Sequence, residues 1–581
     1  MTPMDTGSTA LRLPDPLRGD VEAAIERAVT EEWARRLWER DTSLWTTDPA
    51  TAEKIANRLG WLDAPTAFTD EIAELDAFAT AVRDAGFTDF IVCGMGGSSL
   101  APEVLAYVYP ESAHGLNVYV LDSTDPAAVA AIDEITSPET TLRIIATKSG
   151  TTTESLAFLA HYWESEWHRA GALHRHRAGL GFVAITDPGK SVEAIPHIDE
   201  FRETFLNPAD VGGRYSALTY VGLVPAALMG LSLEPLLADA REMAGKCQLA
   251  DATNPGIALG AAIGALAKAG RDKLTFVIEP DLAALGAWLE QLIAESTGKQ
   301  GTGVVPVDGE TLAEPAVYRD DRVFVRLGRA GQAEWRAETD AAIDALAAAG
   351  HPVIDLLLTG DDWVAGEFVR WEVATAIAGA VLGVDPFDEP NVTESKQNTG
   401  AVLSTFAHEG HLPAETTLVE GNGLRVIGDA GLAALGTPAD VASALRAHLD
   451  RVPANGYHAI NAYLASSPDR EDALRAIQEL IRDRTGHATT MGYGPRFLHS
   501  TGQLHKGGAP IGCFLQLVAG RPADLPIPGR KESFGILIDA QALGDFQSLG
   551  SHGLPVVRVH LSDDPDAGLV ELHAALAAAL S

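Results

Sequence analysis

Cysteine is scarce in this chain: Cys93, Cys247 and Cys513 are the only three in 581 residues. They are too few and too scattered for a disulfide framework or a cysteine zinc site. That scarcity fits a reducing compartment, so a cytoplasmic protein is expected. Long apolar runs are missing too. No uninterrupted stretch approaches the ~18 residues of a membrane span, and Met1-Thr-Pro-Met-Asp5 lacks the basic-then-apolar order of an export signal. Positive charge is in deficit, with 43 Lys and Arg against 80 Asp and Glu and a formal net charge of −37. Such a field disfavours nucleic acid and anionic lipid as partners, and an anionic ligand needs a locally placed Lys or Arg. No cluster of His, Asp and Glu has metal-ligand spacing, and neither a metal nor another cofactor is expected.

What is present suits a folded enzyme. Hydrophobic residues make up 46% of the chain, with 56 glycines, and the length gives a prior of three or four domains at ~150 residues each. Val21, Ala24, Ile25, Ala28, Val29, Trp33, Leu37 and Trp38 recur at three- and four-residue spacing. This predicts an amphipathic helix from Asp20 to about Leu44 and a helical extension over residues 1–75. Strands are expected at Phe90–Cys93, Val118–Leu121, Arg143–Ala146 and Phe182–Thr186, separated by helices such as Pro102–Tyr109 and Thr153–Ala170. With a helical connector over 216–245, this makes a first lobe, 76–250, built on a doubly wound parallel sheet whose ligands sit at the carboxyl ends of the strands. A second such lobe, 251–400, is expected from strands Leu274–Ile278, Val323–Leu327 and Val353–Leu357 and a helix Asp361–Gly383, stopped by Asp385-Pro-Phe-Asp-Glu-Pro390. Residues 401–581 read as an additional C-terminal α/β region, with strands expected at Leu424–Ile427, Phe514–Val518, Gly535–Ile538 and Val556–His560.

Two loops carry the chemistry. Gly94-Met-Gly-Gly-Ser98 follows a strand and precedes a helix, a place where glycine lets backbone approach a ligand. By itself it also fits a dinucleotide loop, with Asp122 ending the next strand where a ribose-binding acid stands, although Ser99 replaces the third fingerprint glycine. The second loop shifts the balance. Thr147, Ser149, Thr151 and Thr152 put four hydroxyls into six residues around Lys148, more than one helix cap uses. Together the loops read as a cradle for a phosphate ester.

With Gly212-Gly-Arg-Tyr-Ser216, Gln291-Leu-Ile-Ala-Glu-Ser-Thr-Gly-Lys299 and Asp385-Pro-Phe-Asp-Glu-Pro-Asn-Val-Thr-Glu-Ser-Lys396 in order, the chain resembles the glucose-6-phosphate isomerase family, built on the sugar-isomerase fold. Phe497-Leu-His-Ser-Thr-Gly-Gln-Leu-His-Lys-Gly-Gly508 further resembles the isomerase half of bifunctional transaldolase/phosphoglucose isomerase proteins. A transaldolase barrel itself has no room, since it takes ~250 residues and fewer than 100 precede the first glycine loop. The resemblance implies two doubly wound sugar-isomerase lobes, a hexose phosphate as small-molecule partner, a homodimer and no cofactor.

It also implies site residues. Glu295 matches the base that moves a proton between C1 and C2 through a cis-enediolate. Gln291 lies four residues earlier, on the same helical face. Arg214, beside Gly213, matches the cation that steadies the enediolate. Ser98, Ser99, Thr147, Ser149 and Thr152, with the backbone at Gly97 and Lys148, are expected to hold the substrate. Lys396 matches the family lysine of ring opening. The family histidine is displaced: between Glu295 and Lys396 only His351 occurs, and a structural role is expected for it. The ring-opening role is assigned to His505, with His499 second, and a partner subunit stays open as the source of either. Three rivals stay open as well. They are an isomerase of mannose 6-phosphate or an amino sugar phosphate, a non-catalytic phosphosugar-binding regulator, and a dinucleotide-dependent dehydrogenase.

Overall fold

A computed structural model of the chain describes residues 4–5, 9–109, 114–358 and 364–581. The first lobe holds a five-stranded, all-parallel sheet in the order Asn117–Leu121, Asp89–Cys93, Thr141–Ala146, Phe182–Thr186 and Glu203–Leu206. The first crossover runs from Asp89–Cys93 to Asn117–Leu121 on one side, and the second returns past Asp89–Cys93 to Thr141–Ala146 on the other. The switch point therefore falls between Asp89–Cys93 and Thr141–Ala146, where a doubly wound sheet opens a crevice at its carboxyl edge. The glycine loop and the hydroxyl loop leave these two strands.

The second sheet runs Met4–Asp5, Thr9–Arg12, Val353–Leu358, Arg322–Arg329, Lys273–Ile278 and Val305–Val307, its last four strands parallel. Its N-terminal strand, Thr9–Arg12, pairs antiparallel with Val353–Leu356. The N-terminal extension thus adds two strands, Met4–Asp5 and Thr9–Arg12, to the expected helices. The helix expected from Asp20 to about Leu44 is split in two, Asp15–Thr30 and Trp33–Trp38, because Glu32 between them is left-handed at φ 55°. The connector likewise splits into Tyr220–Leu228 and Leu233–Lys246. Of the helix expected from Asp361, residues 361–363 lie outside the described residues and the rest forms Val364–Leu382. One hydrophobic core joins the N-terminal helices to both lobes.

The C-terminal region has a third sheet, Val419–Gly421, Leu424–Gly428, Val556–His560, Gly512–Val518, Tyr457–Tyr463 and Ala488–Tyr493, with its own core. The strand expected at Gly535–Ile538 is instead the start of helix Phe534–Ser551, capped by the Ser533 hydroxyl, which accepts from the amide of Ile536. The helix is buried nearly all round, so its first turn reads as a continuous apolar run that periodicity cannot tell from a strand. It packs along helix Pro390–Glu409, which runs without a break through residue 400. No helix among the described residues is long and apolar enough to cross a membrane.

Candidate active site

Three chain segments meet at the glycine loop, and the glycines are what allow it. A Cβ on Gly97 would lie 2.1 Å from the Gly213 carbonyl oxygen. At Gly96, φ is +53°, and a Cβ would lie 2.6 Å from the His499 carbonyl oxygen and 2.7 Å from Nε2 of Gln291. Backbone meets backbone here at distances that exclude any side chain. In the second loop the hydroxyls bond one another, Thr147 to Thr152 at 2.8 Å and Ser149 to Thr151 at 2.9 Å. The Lys148 ammonium donates to Asp187 at 2.5 Å and to the Ala209 carbonyl at 3.2 Å.

These segments wall an open cleft of about 430 Å³. Of the residues expected at the site, Gly97, Ser98, Lys148, Ser149, Thr152, Gly213, Arg214, Gln291, Glu295 and Lys396 line it. Thr147 and Ser99 sit behind the wall. The Ser99 hydroxyl contacts the Gly96 carbonyl and Asp122 at 3.1 and 3.0 Å. Asp122 also accepts from Nε of Arg496 at 2.6 Å, so the acid that a dinucleotide site would use for ribose is occupied within the protein.

Glu295 projects from the buried helix Leu285–Thr297. Gln291, one turn earlier, donates to Glu295 at 3.1 Å and to the His499 carbonyl at 2.7 Å. Burial drives the Glu295 pKa up to about 7; Arg214 opposes the rise and Glu389 adds to it. Arg214 is itself buried and held on every edge. It donates to Ser296 at 2.7 Å, to the carbonyls of Pro386 and Asp388 at 2.7 and 2.9 Å, and to Glu389 at 3.0 Å, with Nη1 3.6 Å from Glu295. Burial works against its charge, but Glu295 and Glu389 more than offset this and raise its pKa. The pairing yields a carboxyl near neutrality beside a fixed guanidinium, suited to taking a proton and stabilising the oxyanion that results.

Lys396, on helix Pro390–Glu409, is exposed to the cleft and to a small side chamber that it shares with His499, Glu154 and Gln541. A ring nitrogen of His499, Nε2, lies 3.0 Å from Glu154. Glu154 also accepts from Gln541 at 2.6 Å, and Gln541 from the Thr124 hydroxyl at 2.7 Å. Burial pushes the Glu154 pKa upward, yet its contacts with His499 outweigh this and leave it lowered.

The displaced histidine resolves against the first choice. His505 is enclosed by Phe514, Phe497 and Tyr457, with ring centroids at 4.9, 6.0 and 6.4 Å, and does not line the cleft. Burial forces its pKa down to about 3, with Lys506 adding to the fall, so it stays a neutral core side chain. His499, the second choice, is the one in the cleft wall, and it comes from the same chain. His351 packs against Phe324 and Tyr318, a structural position as expected.

Sequence reasoning passed over Glu154 and Glu389, although both lie inside the segments Thr147–Ser155 and Asp385–Lys396 that drew attention. Arg58 and Asp187 also line the cleft and carry no motif at all. Among the described residues no group of three or more His, Cys, Asp or Glu is placed to hold a metal ion.

The family model described as phosphoglucose isomerase matches residues 62–315. A glucose-6-phosphate isomerase from Rubrobacter xylanophilus is 32% identical over 375 residues, covering 56% of this chain and 84% of its own. One from Carboxydothermus hydrogenoformans is 30% identical, covering 61% and 87%. Among solved structures, a hypothetical protein from Thermus thermophilus aligns with a TM-score of 0.57 at 27% identity, over 68% of this chain and all of that one. A glucose-6-phosphate isomerase from Chlamydia trachomatis, at 18% identity and a TM-score of 0.50 over 70% and 90%, shares the fold. With 84% of the Rubrobacter relative matched at 32% identity, and with the family model's residues 62–315 carrying the glycine loop, Arg214 and Glu295, the chain belongs to the glucose-6-phosphate isomerase family.

Proposed function

We propose that this cleft interconverts glucose 6-phosphate and fructose 6-phosphate. Ser98, Ser149 and Thr152 hold the phosphate with the amides of Gly97 and Lys148, while Ser99, Thr147 and Gly213 fix the loops behind them. Glu295 takes the proton from one carbon and returns it to the next. Arg214 faces the negative charge that grows on the enediolate oxygen, and Gln291 orients Glu295. Ring opening falls to Lys396 and to His499 in place of His505. The observation that carries this reading is the buried Glu295, its pKa near 7, 3.6 Å from Arg214, across from a hydroxyl loop at the switch point of the sheet.

The likeness to the isomerase half of bifunctional transaldolase/phosphoglucose isomerase proteins belongs to the same reading. Its support is the histidine segment Phe497–Gly508, which reaches the cleft from the C-terminal sheet. A cytoplasmic location, the division at about residues 75, 250 and 400, and a homodimer belong to it as well; the cleft residues named here all come from one chain.

The test is fructose 6-phosphate turnover coupled to oxidation of the glucose 6-phosphate formed. Glu295→Gln is expected to lose at least ~10²-fold in kcat, the lower range for a positioned general base, while still binding sugar phosphate. No turnover by the pure wild type would refute the assignment.

A further inference from the structure

The phosphate end of the cleft has a charge problem. The protein carries −37 overall, and a phosphate ester arrives with a charge near −2 at neutral pH. The cation expected there, Lys148, is paired with Asp187 at 2.5 Å, and both line the cleft, so that pair contributes no net positive charge. Arg214 is buried and bonded on every edge, with Glu295 and Glu389 as its counter-charges. Lys396 stands with His499 and Glu154 at the side chamber.

Among the described residues, Arg58 is the remaining cation of the cleft wall. It comes from the N-terminal extension, one residue beyond the C-cap of helix Pro49–Ala56. Its backbone is pinned. Ile55 and Leu59 on either side of it are fully buried, Leu59 bridges antiparallel to Val211, and the Gly60 amide donates to the Asp210 carbonyl at 3.0 Å. That clamp holds Arg58 against the loop that continues into Gly213 and Arg214. Its side chain crosses Gly212, where a Cβ would meet Arg58 Cδ at 3.9 Å. The guanidinium donates to the neighbouring Asn57 carbonyl at 2.9 Å, and no ion pair engages it among the described residues. The other donors of the guanidinium belong to a side chain that lines the same cleft as Ser149 and Thr152, and a guanidinium can present two of them to a phosphate as a fork.

We infer that Arg58 is a phosphate-binding residue: it supplies the net positive charge at the phosphate end and makes the enzyme depend on a dianionic group there. The inference rests on the proposed orientation of the substrate in this cleft.

Steady-state kinetics with fructose 6-phosphate and calorimetric titration with inorganic phosphate test it on wild type, Arg58→Gln and Arg58→Lys. Arg58→Gln is expected to raise both KM and the Kd of inorganic phosphate ~10-fold or more, the range for a lost hydrogen bond to a charged group. Its kcat should stay within about twofold, the pattern of lost uniform binding. Arg58→Lys should recover part of the affinity and none of the fork geometry. Unchanged KM and Kd overturn the inference. So does a fall in kcat at constant KM, which would mean that the substitution acts through the Val211–Arg214 backbone. Absence of turnover by the wild type would refute the isomerase reading instead, and the phosphate titration would still decide the role of Arg58, a wild type that binds no phosphate refuting it.

Discussion

Glu389→Gln should move the acidic limb of the pH–rate profile down. Glu389 and Glu295 share one nitrogen of Arg214, Nη1, at 3.0 and 3.6 Å, which puts the two carboxylates within about 7 Å of each other, close enough for direct repulsion. Glu389 is 39% exposed and Glu295 9%, so an effective dielectric between the protein value of ~20 and that of water applies. At ~40 the repulsion is about 1 kcal/mol, or a little under one pKa unit. The sign follows from the state that works. Glu295 acts as a base only when ionised, its pKa is raised to about 7, and kcat/KM therefore falls as pH drops through that value. Removing the negative charge at 389 eases ionisation of Glu295 and leaves a neutral acceptor for Arg214, so the limb shifts toward pH 6. The assay is kcat/KM for fructose 6-phosphate from pH 5 to 9. The substrate's own phosphate ionisation near pH 6 bends both profiles alike, and the readout is the difference between variant and wild type. A limb that stays in place, or that moves up, refutes the electrostatic account of Glu295.

Two further substitutions probe the architecture. Gly97→Ala places a Cβ 2.1 Å from the Gly213 carbonyl; the two loops must part, and a displacement of ~1 Å at a positioned site costs on the order of 10²-fold in kcat/KM, measured beside an unfolding curve that should move little by comparison. His499→Ala should slow ring-closed hexose phosphates far more than a short aldose phosphate that cannot close, whereas His505→Ala should instead cost stability, roughly 2 kcal/mol or more for a vacated aromatic pocket, at nearly unchanged kcat. Equal losses on closed and open substrates in the His499 variant would count against its ring-opening role.

The strands of the first lobe were legible because each is a short β-branched run between helix-length segments, and all four expected there are present. The fifth, Glu203–Leu206, is a half-exposed edge strand and has no apolar run to announce it. Thr9–Arg12 escaped for another reason: apart from a two-residue pairing with Met4–Asp5, its partner is Val353–Leu356, more than three hundred residues away, and nothing local encodes that partner. Gly535–Ile538 failed in the opposite direction, since a helix buried on all faces loses the periodicity that distinguishes it.

The same division between local and long-range information governs the site. Glu295 and Gln291 share one helix, and Arg214 sits between glycines and a tyrosine, so the family resemblance that singles them out is carried by consecutive residues. Choosing between His499 and His505 requires knowing which side of a short helix, Gly502–Gly507, faces the aromatic core of the C-terminal sheet, and six residues of separation put the two imidazoles in opposite environments. Phe497 and Phe514 close over His505, while the carbonyl of His499 is drawn to Gln291 and its ring to Glu154. Glu154 in turn is held by Gln541 from the helix that had been expected as a strand. The C-terminal region is thus tied to the first lobe at the reacting end of the cleft. Under the proposed ring-opening role, a histidine that enters from the C-terminal region needs a carboxylate to orient its ring, and His499 meets one in Glu154 of the first lobe, which Gln541 of the C-terminal region holds in turn.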